Sequence, residues 1–369
     1  MGSTASERIE KLTDLITLCS IDGIGAGRCF HLLERFQTVE KILGSSISDL
    51  MEVPGIGREL ASNIKNKQNR QQSEEHTGKI IELGWKFFIY DEADYPEPLR
   101  NISDKPPYLF YLGDYQESDA NAIAIVGSRS ASEEGRHFAA KLAIELAENN
   151  ITVVSGLARG IDIAAHRGSL HGNGRTIAVF GSSLDIIYPP EGRDMARQIM
   201  DSGCLISEHL PGTTPFGANF PKRNRIISGL SQGVVVIEAA QRSGALSTAG
   251  HALKQNREVF AVPGPPRHET SKGTNQLIKE GATLLTSVDD IFTELPRLKG
   301  EIRVNRIKEI SDLTDSERDI LNLFDNEPVH IDKISRKLEK PVSELMQILL
   351  ALELKGIIKE LSGKRYILE

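Results

Sequence analysis

The stretch Ile123-Ala-Ile-Val126-Gly127-Ser128-Arg129 decides the fold, because it joins a short apolar run to a loop of small residues at the start of a helical segment. The same order of apolar run, glycine loop and helix recurs until about Phe292, with further runs at 151–154, 176–180, 205–207, 234–237 and 259–262. Apolar strands that alternate with helices indicate a parallel sheet covered on both faces. The sequence therefore predicts an α/β fold with an extended Rossmann-like parallel sheet.

Loops rich in glycine and serine follow these strands, for example Gly127–Arg129, Ser155–Gly160 and Gly181–Ser183. Doubly wound sheets bind their ligands at this edge, outside the carboxyl ends of the strands. The loop after the first strand, Gly127-Ser-Arg-Ser-Ala-Ser, lacks the G-x-G-x-x-G dinucleotide fingerprint, and the chain has no Walker A sequence. ATP hydrolysis and hydride transfer therefore lack their usual sequence support, and a non-standard nucleotide site stays open as an alternative.

The crevice is expected to be basic, although the chain has a formal net charge of -7. Between Gln241 and Lys279 there are six Lys or Arg residues and two acids, and Lys222-Arg223-Asn224-Arg225 adds three cations upstream. These three begin a predicted helix, where positive charge opposes the helix dipole. A bound anion would explain this placement, with Phe220 as a base-stacking face. Alternatively, Arg223 and Arg225 bridge loops and Phe220 belongs to the core.

Arg129 has two explanations as well. Its guanidinium could share one phosphate with the backbone amides of a helix that starts at Ser130–Glu133. Alternatively, Arg129 pairs with a carboxylate and fixes the loop in place.

Both ends of the chain differ from the middle. Residues 1–75 contain short helical segments and two glycine hairpins, Ile21–Gly25 and Val53–Gly57, which resemble helix-hairpin-helix motifs that bring backbone amides close to phosphate. A plain helical bundle explains these glycines equally well. A charged linker at 297–311 separates the middle domain, 76–296, from residues 312–369, where three helical segments and a hairpin near Ser362 predict a winged-helix-like domain.

The expected recognition helix of that last domain, Val342 to Leu354, carries Glu344 and Glu353. A helix that faces the phosphates of a duplex is usually more basic. Protein docking or dimer support is therefore favoured over duplex binding.

Residues from about 80 to 292 resemble the DNA-processing protein A family (DprA or Smf) of bacterial transformation. The resemblance depends on an ordered set of motifs rather than on any single one. The set comprises Tyr95-Pro96, Pro107, Gly127-Ser128-Arg129, Ser155–Asp162, Gly181, Tyr188-Pro189, Ser207-Glu208, Phe220-Pro221, Arg223–Ile227, Glu238-Ala239, Ser243–Leu246 and Pro263-Gly264.

The resemblance implies a homodimer that binds single-stranded DNA in its basic pocket and helps to load the RecA recombinase onto incoming strands. It carries DNA or phosphate binding onto Gly127, Ser128, Arg129, Lys222 and Arg223, and with less support onto Arg159, Asn224 and Lys254. No catalytic residue, cofactor or metal is implied.

Two alternatives stay open. Nucleotide phosphoribohydrolases have a similar glycine-rich loop, but their Pro-Gly-Gly-x-Gly-Thr-x-x-Glu motif is replaced here by Glu238-Ala-Ala-Gln-Arg-Ser-Gly244. A protein-docking adaptor would leave the cations unexplained. The histidines have no metal-ligand spacing, and the three cysteines indicate neither a disulfide framework nor a zinc site, which favours a reducing cytoplasm. No apolar run approaches the length of a membrane span.

Overall fold

The structure is a computed structural model of the 369-residue chain. It describes residues 4–66, 68–298, 314–321, 323–324, 329–338, 340–354, 357–361 and 363–368. Two compact units divide the chain, Met1–Lys299 and Gly300–Glu369. The boundaries predicted from sequence, at 75, 296 and 311, stay predictions, and most of the expected linker at 297–311 lies outside the described residues.

The helices of the first unit are α1 (Ala5–Cys19), α2 (Ala26–Phe36), α3 (Val39–Gly44), α4 (Ile47–Met51), α5 (Arg58–Ile64), α6 (Gln68–Glu82), α7 (Glu97–Arg100), α8 (Glu133–Glu148), α9 (Ile161–His171), α10 (Arg193–Ser202), α11 (Asn219–Gly229), α12 (Gly244–Lys254), α13 (Lys272–Lys279) and α14 (Val288–Glu294). Its strands are β1 (Lys86–Ile89), β2 (Tyr108–Gly113), β3 (Ala122–Gly127), β4 (Thr152–Ser155), β5 (Thr176–Val179), β6 (Gly203–Ser207), β7 (Gly233–Ile237), β8 (Glu258–Ala261) and β9 (Thr283–Leu284).

The nine strands form one sheet in the order β1-β2-β6-β5-β4-β3-β7-β8-β9. All neighbours from β6 to β9 pair in parallel, whereas β2 pairs antiparallel with both β1 and β6. The six apolar runs predicted as strands are β3 to β8, so the predicted parallel α/β fold is confirmed. The strand order reverses between β3 and β7, and this switch point is where doubly wound sheets place their ligands.

The two N-terminal hairpins form as predicted. Gly23 (φ +89) and Gly55 (φ +80) adopt the left-handed conformation that other residues rarely take. Each glycine stands within a turn closed by a backbone hydrogen bond, from Ile24 N to Ile21 O and from Ile56 N to Val53 O. Helices α2 and α5 begin directly after the hairpins, with Gly25 and Gly57 as N-caps that make no side-chain hydrogen bond.

The N-terminal helices and one face of the sheet share a single hydrophobic core. Leu12 and Leu32 from the helices belong to the same buried cluster as Trp85, Phe110 and Leu205 from the sheet side. Ion pairs add to this contact, from Arg8 to Glu92 (2.6 Å) and from Lys11 to Asp91 (2.7 Å). The helical segment is therefore packed onto the sheet rather than tethered beside it.

The second unit contains α15 (Asp315–Leu321), α16 (Ile331–Leu338), α17 (Val342–Leu354) and the strands β10 (Val329–His330), β11 (Ile358–Leu361) and β12 (Arg365–Leu368). The strands form an antiparallel sheet in the order β10-β12-β11, and residues such as Ile334, Leu345 and Ile358 form its buried core. Three helices with a small sheet confirm the predicted winged-helix fold. On α17, Val342, Met346 and Leu350 are exposed large apolar side chains.

Within the described ranges, no helix is long and apolar enough to cross a membrane.

The shared core predicts cooperative unfolding of the N-terminal helices with the sheet. Ile42 is fully buried in that core, and Ile81 is 52% exposed on α6. We expect Ile42→Ala to cost about 2–5 kcal/mol of unfolding free energy, because it leaves a cavity. Far-UV circular dichroism and the fluorescence of Trp85, the chain's one tryptophan, should then shift together in urea.

The control is Ile81→Ala, which removes the same atoms from an exposed site and should change the midpoint little. If Ile42→Ala separated the two transitions, the helical segment would unfold on its own.

Candidate nucleic-acid interface

A crevice of about 750 Å³ lies at the carboxyl ends of β3 and β7, at the switch point of the sheet. Three segments line it: the loop after β3 with Gly127 to Ser130, the first half of α11, and the loop from Ala240 to Ala245 that leads into α12. Position 127 requires glycine because the backbone of β7 lies too close for a side chain: a Cβ there would overlap the backbone oxygen of Ile237. The local sequence thus brings β3 and β7 together beneath the crevice.

Arg129 and two aromatic rings form one wall. The Arg129 guanidinium lies 5.4 Å from the centre of the Phe220 ring, and the Tyr188 ring lies 5.8 Å from Phe220. Gly181 leaves room for Phe220, because a Cβ there would come within 2.8 Å of the ring. Among the described residues no carboxylate lies within ion-pairing distance of Arg129. Its charge therefore stays available to an anion beside a stacking surface.

Arg223 lines the crevice but is almost completely buried there. The side chain is buried, and its Nη1 donates to the backbone oxygens of Gly156 (3.0 Å) and Val179. A Cβ at Gly156 would lie 2.5 Å from Nη2, so the glycine makes space for the guanidinium. Burial lowers the pKa of Arg223 to about 10, an effect that the Asp162 carboxylate opposes. This position favours the alternative in which Arg223 bridges loops.

Asp162 holds the loop after β4. Its Oδ2 accepts hydrogen bonds from the amides of Gly156 (3.1 Å) and Ala158 (3.3 Å). Burial raises the pKa of Asp162 to about 6, although the charge of Arg223 and these hydrogen bonds act in the opposite direction. The negative charge of Asp162 and the positive charge of Arg223 thus stabilise each other in a buried region.

His166 lies one turn further along α9 and is fully buried. Its Nδ1 is 2.7 Å from the hydroxyl of Thr176, and its Nε2 is a buried atom without a hydrogen-bond partner among the described residues. Burial, with a contribution from the charge of Arg223, lowers the pKa of His166 to about 3. The imidazole is therefore neutral at pH 7.

Glu238, directly after β7, binds Ser132, the N-cap residue of helix α8. Its Oε2 accepts from the backbone amide of Ser132 (2.9 Å), its Oε1 accepts from the Ser132 hydroxyl, and its own backbone has a φ of 53°. In one of the two explanations for Arg129, the amides at Ser130–Glu133 share a phosphate with its guanidinium. The amide of Ser132 already donates to the Glu238 carboxylate.

The remaining predicted site residues do not all meet in the crevice. Gly127, Ser128 and Asn224 line it, and the amide of Asn224 donates to the backbone oxygen of Gly244 (3.2 Å). Arg159 borders a smaller neighbouring cavity and pairs with Glu191. Lys222 lines a different cavity, and Lys254, at the exposed end of α12, lines neither that cavity nor the crevice.

Arg242 and Tyr188 line the crevice but were not among the predicted site residues. Arg242 reaches the crevice from the loop after β7, is exposed, and has no ion-pair partner in the described part of the chain. Tyr188 is 45% exposed next to Phe220. Arg242 could have been found from its place in a strand-end loop within the basic stretch. No sequence signal placed Tyr188 beside Phe220, because the folded chain brings the two residues together.

The family model for DNA recombination-mediator protein A matches residues 86–296, more than half of the chain. The chain belongs to this family. Two further models match the flanks, the DprA winged helix domain over 308–364 and the SAM-like helix-hairpin-helix tandem over 15–67. The resemblance of residues from about 80 to 292 to the DprA or Smf family is thus confirmed, and the winged helix model adds the C-terminal part of the chain.

Relatives in the family cover most of the chain. Protein Smf of Synechocystis is 33% identical over 94% of this chain and 96% of its own length. The crystal structure of DNA processing protein A from Streptococcus pneumoniae is similar over 80% of this chain and 99% of its own, with a TM-score of 0.66 and 34% identity. DNA processing protein A from Helicobacter pylori, whose structure concerns its single-stranded DNA binding mode, matches 58% of this chain and 96% of its own, with a TM-score of 0.52 and 29% identity.

The buried His166 makes stability depend on pH. Its pKa falls from 6.5 in the unfolded chain to about 3 in the folded one, so the unfolded state takes up the proton first. The stabilisation is present above about pH 6.5 and is lost as the pH falls. We expect the difference in unfolding free energy between the wild type and His166→Gln to narrow by about 2 kcal/mol from about pH 7.5 to about pH 5.

Urea titrations at both pH values measure this change. Asp162 acts in the opposite direction, since its raised pKa favours folding as the pH falls through about 6, but it is present in both proteins. His171→Gln, at an exposed position of the same helix, is the control substitution. A constant difference for His166→Gln would contradict the assignment.

Proposed function

We propose that this chain binds single-stranded DNA in the crevice and catalyses no reaction on it. The observation that carries the proposal is the wall in which Arg129 lies over Phe220 beside Tyr188, in a crevice that Arg242 also lines from the loop before α12. Cations contact the sugar-phosphate backbone, and flat rings stack on bases of any sequence. The Helicobacter pylori relative, known for its single-stranded DNA binding mode, supports the same ligand here.

The residues proposed to contact DNA are Gly127, Ser128, Arg129, Phe220, Asn224 and Arg242. Arg223 acts beneath them, because its guanidinium holds the loops at the ends of β4 and β5 in place. Arg159 and Lys254 lie outside the crevice lining and are expected to contribute little.

The absence of catalysis is part of the proposal. A phosphoribohydrolase would need a carboxylate free to act at the crevice, but Glu238 is committed to the start of α8. Asp162 is bound by two backbone amides and buried. Release of free base from nucleoside monophosphates incubated with the protein would favour the enzyme alternative.

Binding isotherms across a salt series test the crevice. Fluorescence anisotropy with a labelled oligothymidylate should show weaker binding for Arg129→Ala and for Arg242→Ala. Each variant should also flatten the slope of log K against log salt by about 0.7, since each removes one phosphate contact. Phe220→Leu should weaken binding by about 1–3 kcal/mol without changing the slope, because a stacking contact releases no counterion.

Lys141→Ala is the matched control, because Lys141 is an exposed cation on α8 that does not line the crevice. Wild-type binding by Arg129→Ala and Arg242→Ala would remove the crevice as the DNA site. Binding that favours duplex over single strands would redirect attention to the winged-helix unit.

Family resemblance extends the proposal to a homodimer that helps RecA assemble on single strands in the cytoplasm during transformation and recombination. Two linked crevices would raise the affinity for long strands through effective concentration. Light scattering tests the dimer. The lag in RecA ATP hydrolysis on strands coated with single-strand-binding protein tests the loading. A monomer at micromolar concentration would contradict the proposed dimer. A lag that stays the same when the protein is added would contradict the proposed RecA loading.

The winged-helix unit suits a docking role. The exposed Val342, Met346 and Leu350 on α17 form an apolar row, which suits a protein surface better than DNA phosphates. If RecA loading needed no single-stranded DNA contact in the crevice, the adaptor alternative would account for the chain better.

A further inference from the structure

A second cavity, of about 470 Å³, lies between the first N-terminal hairpin and the α/β core. We call it the hairpin cavity. Gly25, Ala26 and Gly27 line it from the hairpin side, and His209, Lys222 and Arg225 are among the residues that line it from the core. Both sides belong to the compact first unit. No predicted role of the crevice accounts for this cavity.

The hairpin cavity and the crevice meet at the first turn of α11. Phe220 and Pro221 line the crevice, while their chain neighbours Asn219 and Lys222 line the hairpin cavity. Since these four residues are consecutive, one helical turn forms a wall of both spaces. A nucleic acid strand that leaves the crevice across this turn reaches Lys222.

Two cations, Lys222 and Arg225, and two carboxylates, Glu208 and Asp104, line the hairpin cavity, so their formal charges sum to zero. Arg225 binds both carboxylates, Glu208 at 2.5 Å and Asp104 at 3.7 Å. Lys222 is exposed and has no ion-pair partner among the described residues. The buried nitrogens His209 Nε2 and Arg225 Nη1 also lack hydrogen-bond partners in the described part of the chain, and Arg225 Nη1 can only donate. Such unpaired buried groups are rare and make these side chains available to an acceptor.

The first hairpin contributes backbone amides that no side chain caps. Helix α2 starts at Ala26, and its N-cap Gly25 makes no side-chain hydrogen bond, so the first-turn amides have no cap. A Cβ at Gly25 or Gly27 would meet no atom within 4 Å. The second hairpin differs, since α5 has seven residues and does not line the hairpin cavity.

We propose that the hairpin cavity is a second phosphate subsite for the same single strand that occupies the crevice. The backbone of the strand crosses the first turn of α11, and one of its phosphates lies between the Lys222 ammonium and the first hairpin. The inference rests on the proposed function, because it needs a strand in the crevice. In this proposal the first hairpin binds a phosphate, and Lys222 contacts a different phosphate from the one that Arg129 contacts.

Strand length distinguishes this subsite from the crevice. We would measure anisotropy with oligothymidylates of about 5 and about 20 nucleotides, near the two ends of single-strand site sizes. Lys222→Ala should bind the long strand about 3- to 10-fold more weakly, with a slope of log K against log salt flatter by about 0.7. It should bind the short strand like the wild type. Arg129→Ala should weaken both.

Ala26→Glu tests the hairpin side by repulsion. A carboxylate in the first turn of a helix is compatible with the helix dipole, so α2 should remain folded. This variant should show the same selective loss for the long strand, and Lys141→Ala should show none. If circular dichroism showed that Ala26→Glu did not fold, Lys222→Ala would decide alone.

Three results would overturn the inference. Wild-type binding of the long strand by Lys222→Ala, with Arg129→Ala still defective, would end the DNA path at α11 and leave the proposed function intact. Equal weakening of short and long strands by Lys222→Ala would place Lys222 in the crevice itself. Failure of the wild type to bind either strand would remove the proposed function and the subsite together.

Discussion

The crevice depends on the burial of one charged side chain, Arg223. Its guanidinium binds the backbone oxygens that follow β4 and β5, occupies the space that Gly156 leaves open, and lies in the field of Asp162. An arginine removed from water in this way is tolerated because carbonyl oxygens and a carboxylate compensate its charge. The first half of α11 is thereby fixed against the sheet, and Phe220 is positioned under Arg129.

Two anionic groups of the chain determine where a foreign anion can bind. Glu238 accepts a hydrogen bond from the amide of Ser132 at the start of α8, and Asp162 accepts hydrogen bonds from two amides of the loop after β4. Backbone donors that would attract phosphate in many doubly wound proteins are therefore already used. The free positive charge of the crevice comes from long side chains on its rim, Arg129 and Arg242, which suits a flexible polymer better than a small nucleotide held by a loop.

The N-terminal helices contribute to the same structure. Their apolar residues complete a core with β1, β2 and the adjoining face of the sheet. The first hairpin is held against the core in this way, with Phe30 edge-on to Tyr90 at 5.0 Å. A surface that sequence alone assigns to a separate module becomes one wall of the hairpin cavity.

The sequence by itself determined the strands β3 to β8, the two hairpins, the winged-helix segments and the family, because hydrophobic periodicity, glycine placement and ordered motifs are local properties. It also pointed to Arg129 and Phe220, which line the crevice, since one stands in a strand-end loop and the other at a helix start. It did not determine that β2 joins the sheet antiparallel beside β6. Nor did it determine that Lys222 lines the hairpin cavity while Arg223 lines the crevice, or that Glu238 binds the N-cap residue of α8. Each of these depends on which side of a helix or strand faces a residue far away in the chain, and packing of the whole core decides that orientation.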